Sequence, residues 1–132
     1  MRGLIGKKIG MTQVFSDNGS LIPVTIVEAG PCVVTQVKTK TNDGYDAVQV
    51  GYSELKDKHS NKAQSGHFNK ASVKAKRFLA EFNTVSNYDY KTGQEFGVSL
   101  FKEGELVSVT GRSKGRGFSG VMKRHGFGGG PK

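Results

Sequence analysis

Gly115-Arg116-Gly117-Phe118-Ser119-Gly120 fits the pattern G-x-G-x-x-G, after a strand-like stretch and before a possible short helix. A dinucleotide site of that kind also needs a βαβ unit and an acidic residue about 20 positions further on. No acidic residue follows Glu105, and Arg116 stands where bare backbone would have to approach pyrophosphate. A Walker loop fails too, because no Gly-Lys-Ser/Thr follows at the needed spacing. What survives is the underlying physics, with glycine amides reaching phosphate oxygens, here on a polynucleotide. The surrounding stretch, Gly111 to Lys132, fits that partner. It holds six of the twenty basic residues, eight of the nineteen glycines and no acid. Arg112, Arg116 and Arg124 can grip phosphates in bidentate fashion or stack on bases. Lys114, Lys123 and Lys132 act as mobile point charges. Phe118 and Phe127, with His125 between them in sequence, offer rings for stacking on unpaired bases, worth ~1–3 kcal/mol each. For Phe118 the competing expectation, slightly the stronger, is packing on the tail's own short helix through Val121 and Met122.

Other reactive side chains lack partners. Cys32 lies in an apolar run between Pro31 and Val33, so it reads as a small buried hydrophobe rather than a nucleophile. As the single cysteine, it excludes an internal disulfide and any multi-cysteine zinc site. His59 and His67 stand eight apart with no thiol or acid ligand set around them, which argues against a metal. Ser113 and Ser119 sit beside cations without an evident base, and no pair of carboxylates accompanies a histidine. The expectation is no enzyme, no cofactor, no metal and no small-molecule substrate.

The elements that must hold the tail come from a chain of 132 residues, one domain's worth. Its net charge of +9 points to nucleic acid before an anionic membrane. That charge is uneven. Residues 1–110 carry fourteen basic and eleven acidic side chains, hence +3, while residues 111–132 carry +6. The division expected is a nearly neutral body over 1–110 and a basic, Gly-rich extension over 111–132. Alone in water such an extension cannot bury enough apolar surface to offset its ordering entropy. No stretch approaches the ~18 apolar residues of a membrane helix. Met1-Arg2-Gly3 leads directly into a strand-like pattern, so neither a signal peptide nor a membrane location is expected.

Within the body, Arg2–Phe15 and Leu21–Ala29 read as strands joined at Ser16-Asp17-Asn18-Gly19, with Pro23 suggesting an edge or bulge. Gly30-Pro31 turns the chain. Cys32–Thr39, with Val33, Thr35 and Val37 on one face, and Tyr45–Tyr52 form a second pair across Asn42-Asp43-Gly44. Four short strands separated by such signals argue for an all-β barrel or sandwich. Residues 53–77 break the pattern with Lys56, Lys58, Lys62, Lys70, Lys74, Lys76 and Arg77 against only Glu54 and Asp57. A short helix over Asn61–Ala71, broken by Gly66, is expected there. The excursion is either a solvated insert or a second nucleic-acid contact. Phe78–Phe82 fits helix or strand, and Tyr88–Gln94 contains a turn at Lys91-Thr92-Gly93. Phe96–Phe101 and Leu106–Thr110 read as strands. In the tail, Ser119 is expected to cap a helix over Gly120–His125 that Gly126 ends.

Four long blocks now carry a resemblance: GKKIGMTQVF (Gly6–Phe15), IPVTIVEAGPCVVTQVKT (Ile22–Thr39), GHFNKA (Gly66–Ala71) and VTGRSKGRGFSGVMKRHGF (Val109–Phe127). In order along essentially the whole chain, they resemble the bacterial large-subunit ribosomal protein L-three family. Residues 53–61 and 83–90 fit only in general character. The resemblance implies a mainly β fold, a Greek-key barrel of the translation-protein type, docked on large-subunit rRNA beside neighbouring ribosomal proteins. It also implies an extension reaching towards the peptidyl-transferase region, a role in early subunit assembly and a place in the cytoplasmic ribosome. The rRNA-binding set expected is Lys7, Lys8, Arg77, Arg112, Ser113, Lys114, Arg116, Phe118, Lys123, Arg124, His125, Phe127 and Lys132. Family members continue past the residues matching Gly129-Gly130-Pro131 and return to strands that help close the barrel. This sequence stops within that loop, so the barrel is expected to be incomplete. A transiently bound translation or RNA-processing factor is the alternative reading.

Overall fold

The computed structural model describes residues 3–84 and 89–131. Strands β1 (Gly6–Phe15) and β2 (Leu21–Ala29) form an antiparallel hairpin. Its turn is closed by the Gly19 amide donating to the Ser16 carbonyl at 2.8 Å, with Gly19 at φ 75°, a left-handed value that suits glycine. Pro23 pairs with Gln13, and the register shifts between Lys8 and Gly10, which leaves Ile9 as a bulge. Neither face of the hairpin is buried. Ile9, Met11, Val14, Phe15, Leu21 and Ile26 are all exposed.

A second, four-stranded antiparallel sheet has the order β5-β4-β3-β6. Its members are β3 (Cys32–Lys38), β4 (Ala47–Glu54), β5 (Lys76–Asn83) and β6 (Glu95–Phe96). The single helical turn α1 (Lys40–Asp43) links β3 to β4 and ends at Gly44, φ 84°. Both sheets are open, as in an incomplete barrel, and the chain is mainly β. The helix-or-strand ambiguity at Phe78–Phe82 resolves as strand, because β4 supplies a partner from Ala47↔Asn83 to Glu54↔Lys76.

The core gathers Cys32, Val34, Val48, Val50 and Tyr52, flanked by Leu4, Ile5, Val37, Phe82, Tyr90 and Phe96. On β4 the alternation Val48, Val50, Tyr52 is the period-2 signature of a buried strand face. On β3 it is not regular. The register against β4 slips between Val34 and Gln36. With Thr35 as the extra residue, Val37 rather than Gln36 returns to the core side. The expected face of Val33, Thr35 and Val37 is therefore corrected: Cys32, Val34 and Val37 pack in the core cluster. Cys32 is fully buried as expected, its thiol donating to the Ile5 carbonyl at 3.4 Å, and burial pushes that thiol up from its ordinary pKa.

Helix α2 (Lys62–Lys70) starts at Asn61, whose side chain accepts from the Gln64 amide at 2.7 Å while Gln64 Oε1 accepts from the Asn61 amide at 3.3 Å. That is a capping box built with Asn and Gln. The helix runs through Gly66 unbroken, contrary to expectation, because two strong ends and the buried Phe68 outweigh one glycine's ~1 kcal/mol cost. It ends in a Schellman turn. The Val73 amide donates to the Phe68 carbonyl at 3.1 Å and the Ser72 amide to the Asn69 carbonyl at 3.0 Å. A polar network seats this helix on the sheet. His67 Nε2 lies 2.7 Å from Gln49 Oε1, which also accepts from Thr35 Oγ1 at 2.9 Å. Gln49 Nε2 in turn donates to Glu81 Oε1 at 3.3 Å. Lys38 and Tyr45 complete the shell, at 2.7 Å each from Glu81. Their hydrogen bonds, Lys38 first, hold the Glu81 carboxyl below its usual range and Lys38 above its own.

Two expected strands do not form as read. Phe96–Phe101 is a strand only at Glu95–Phe96 and then turns into a short 3-10 segment, Val98–Leu100. Leu106–Thr110 pairs with no strand among the described residues, and Leu106 is 99% exposed. Apolar alternation without a hydrogen-bonding neighbour cannot make a ladder. Tyr88, in the turn expected over Tyr88–Gln94, lies outside the described residues; the turn at Lys91–Gln94 is present, the Gln94 amide donating to the Lys91 carbonyl at 3.1 Å.

Candidate nucleic-acid interface

Beyond Thr110 the chain runs irregularly until α3 (Val121–His125). Only four hydrophobic side chains, Phe118, Val121, Met122 and Phe127, are spread over residues 111–131, without an acidic residue or, among the described residues, a strand partner, so little drives the segment to fold on itself. The capping expectation needs correcting. Gly120, not Ser119, is the N-cap, and no side chain caps the helix. The Arg124 amide donates to the Gly120 carbonyl, and the Gly126 amide to the Met122 carbonyl, both at 3.0 Å. Gly126 stops the helix in the left-handed conformation, φ 68°, as expected. Lys123, Arg124 and His125 fill its last turn, where cations interact favourably with the helix dipole.

The side chains face outward. Arg112, Ser113, Lys114, Arg116, Lys123 and Arg124 are all exposed. Among the described residues none of these cations stands within ion-pair distance of a carboxylate, whereas Lys38 and Lys74 each reach one. Phe118 is 100% exposed, so it does not pack on Val121 and Met122. Five residues of helix present too narrow an apolar stripe to hold a phenyl ring. Phe127 stands with its ring 5.8 Å from that of His125 at an interplanar angle of 37°, which pairs two rings near the end of α3. Lys132 lies outside the described residues.

Lys7 and Lys8 are exposed on β1, opposite Glu28 and Val27. Adjacent strand residues point to opposite faces, so both can be exposed only because neither face of the hairpin is covered. Arg77 is exposed at the start of β5, its guanidinium 5.3 Å from the centre of the Phe78 ring. Among the described residues no hydrogen bond, ion pair or ring contact joins the tail to Lys7, Lys8 or Arg77. Sequence reading missed the apolar hairpin surface. Its signal was present in the apolar residues at both parities of Ile9–Phe15.

Among the described residues, no group of three or more His, Cys, Asp or Glu side chains is placed to hold a metal ion. No described helix is long and apolar enough to cross a membrane.

No family model matches the chain. Individual proteins do. One from Carboxydothermus hydrogenoformans is 55% identical over 131 residues, covering 98% of this chain and 62% of its own length. Another from Lysinibacillus sphaericus is 54% identical over 130 residues, with the same two shares. A third, from Cutibacterium acnes, is 51% identical over 129 residues, 98% of this chain and 58% of its own. The class they define is that of bacterial proteins of the large ribosomal subunit. Each of the three is a large ribosomal subunit protein uL3, and over 98% of its length this chain is similar to them. The chain spans about three fifths of the length of these curated relatives.

Proposed function

We propose that this chain is a structural constituent of the large ribosomal subunit that binds large-subunit rRNA and performs no turnover. In this reading residues 1–110 dock on the RNA beside neighbouring large-subunit proteins. Residues 111–132 thread between RNA helices towards the peptidyl-transferase region, early in subunit assembly in the cytoplasm. The observation that carries it is the tail itself, whose five described cations are exposed and without an acidic partner among the described residues, beside a wholly exposed Phe118. A chain that leaves this charge and ring in water has its complement elsewhere. RNA offers phosphates for the arginines and lysines and base faces for the rings. Neutralising those phosphates lets RNA helices approach that would otherwise repel, and releases condensed counterions. The names of the uL3 relatives support the same assignment.

The test is binding to a large-subunit RNA fragment across a salt series, for the whole chain and for a chain ending at Thr110. Each phosphate contact contributes roughly 0.7–0.9 to the slope of log K against log salt. Losing the tail's cations is expected to flatten that slope by several such increments. An unchanged slope would remove the tail from the role of phosphate neutraliser.

A further inference from the structure

The insert between β4 and β5 contains a preformed cleft. About 750 Å³ of half-open space lies between α2 and the chain on either side of it, with Glu54, Lys56, Phe68, Asn69, Ser72 and Lys74 among its walls. We propose that this cleft takes one unpaired nucleotide of the bound RNA, its phosphate at Lys56 and Lys74 and its base edge at Asn69 and Ser72. The proposal rests on the RNA-binding reading and assigns that reading a specific subsite.

Several independent observations converge there. The volume lies within the ~300–1,000 Å³ range of small-ligand sites. Its polar side chains are largely unspent. Among the described residues the side chains of Lys56, Asn69 and Ser72 make no hydrogen bond, and Lys74 has only a 3.9 Å pairing with Glu54. An amide beside a hydroxyl offers donors and acceptors together, as a base edge requires. The walls are held before any ligand arrives, by the Asn61–Gln64 capping box, the Schellman turn, buried Phe68 and the His67–Gln49 contact. Preorganisation of this kind lowers the ordering cost of binding. Lastly, Ser72 occupies a left-handed position, φ 54°, at which glycine would be unstrained. A strained residue whose hydroxyl borders a cleft points to a use for that hydroxyl. Charge favours an anionic occupant, since the lining carries Lys56 and Lys74 against the single acid Glu54, within an insert of seven Lys or Arg and two acids.

The experiment uses the full chain with its tail neutralised (Arg112→Gln, Lys114→Gln, Arg116→Gln, Lys123→Gln, Arg124→Gln), so that the cleft is read alone. Fluorescence anisotropy follows a labelled single-stranded RNA hexamer of mixed sequence, with the corresponding duplex and a poly-glutamate peptide as competitors. Binding of the hexamer is expected. Lys74→Ala should weaken it about tenfold, the scale of one charge-assisted hydrogen bond, and Asn69→Ala by several-fold up to about tenfold, the scale of a neutral one. Ser72→Gly should weaken it while raising the melting temperature, a combination that damage to the fold cannot produce. Lys91→Ala, remote from the cleft, should change nothing. The proposal is overturned if the variants bind like their parent, or if duplex or poly-glutamate competes as well as single-stranded RNA. It is equally overturned if the tail-neutralised chain binds no hexamer while the unaltered chain still binds large-subunit RNA, a result that leaves the broader reading standing. Loss of RNA binding by the unaltered chain would instead remove that broader reading.

Discussion

Phe118 has no neighbour to lose, so its replacement separates folding from recognition. Phe118→Ala is expected to leave the melting temperature within a degree or so of the parent's, because surface substitutions away from contacts are nearly neutral. Affinity for large-subunit RNA should fall by ~1–3 kcal/mol if the ring stacks on a base, as a filter-binding titration would show. Cys32 is the opposite case. Buried, donating to the Ile5 carbonyl and with its thiolate disfavoured by burial, it should react with iodoacetamide only when the fold opens. Alkylation followed by mass spectrometry should therefore be slow in buffer and fast in urea. Rapid native labelling would contradict the packing of β3 against Ile5.

At the scale of elements, α2 and its Schellman turn carry a clear expectation. Placing glycine at the left-handed C-terminal position relieves a Cβ clash worth ~1 kcal/mol, so Ser72→Gly should raise the melting temperature by several degrees in a thermal scan. The Glu81 network adds a pH dependence. A carboxyl held below its usual value contributes stability above about pH 4.3, its unfolded value, and loses it as pH falls through the folded value. The parent should thus be more stable than Glu81→Gln at pH 7, with the gap closing under acid titration below that value. A gap constant from pH 7 to pH 3 would show that Lys38 and Tyr45 do not hold this carboxylate in solution. Elements were readable from sequence where local chemistry decides them. The Asn18-Gly19 turn, the Asn61 start of α2 and the Gly126 stop of α3 depend on residues only a few positions apart. The bulge at Thr35 was not readable, since it is defined only against β4, fourteen residues away at Gln49. The strand expected at Leu106–Thr110 failed for the same reason, because its residues suit a strand but no partner stands beside them among the described residues.

For the molecule as a whole, the tail was visible in advance because charge is additive and needs no fold to be counted. The cleft was not, since it is assembled from Lys56, Asn69 and Lys74, which meet only once β4 and β5 have paired and α2 has folded back over them. These two regions divide the work expected on RNA. On the proposed reading, the tail would supply salt-dependent affinity and the cleft would supply discrimination of unpaired from paired strands.

The uncovered hairpin has a consequence for how the free chain behaves in bulk solution. Ile9, Met11, Phe15 and Leu21 make it adhesive, while a net charge of +9 makes each molecule repel the next. The range of that repulsion is the Debye length, about 30 Å at 0.01 M salt and about 10 Å at 0.1 M. The chain should therefore behave as a charge-stabilised colloid, dispersed in dilute buffer and clustering as salt approaches physiological levels. Light scattering across a salt ramp should show that onset. Polyanions added in small amount should bring it on sooner by cancelling the charge, and in excess should redisperse the clusters by reversing it.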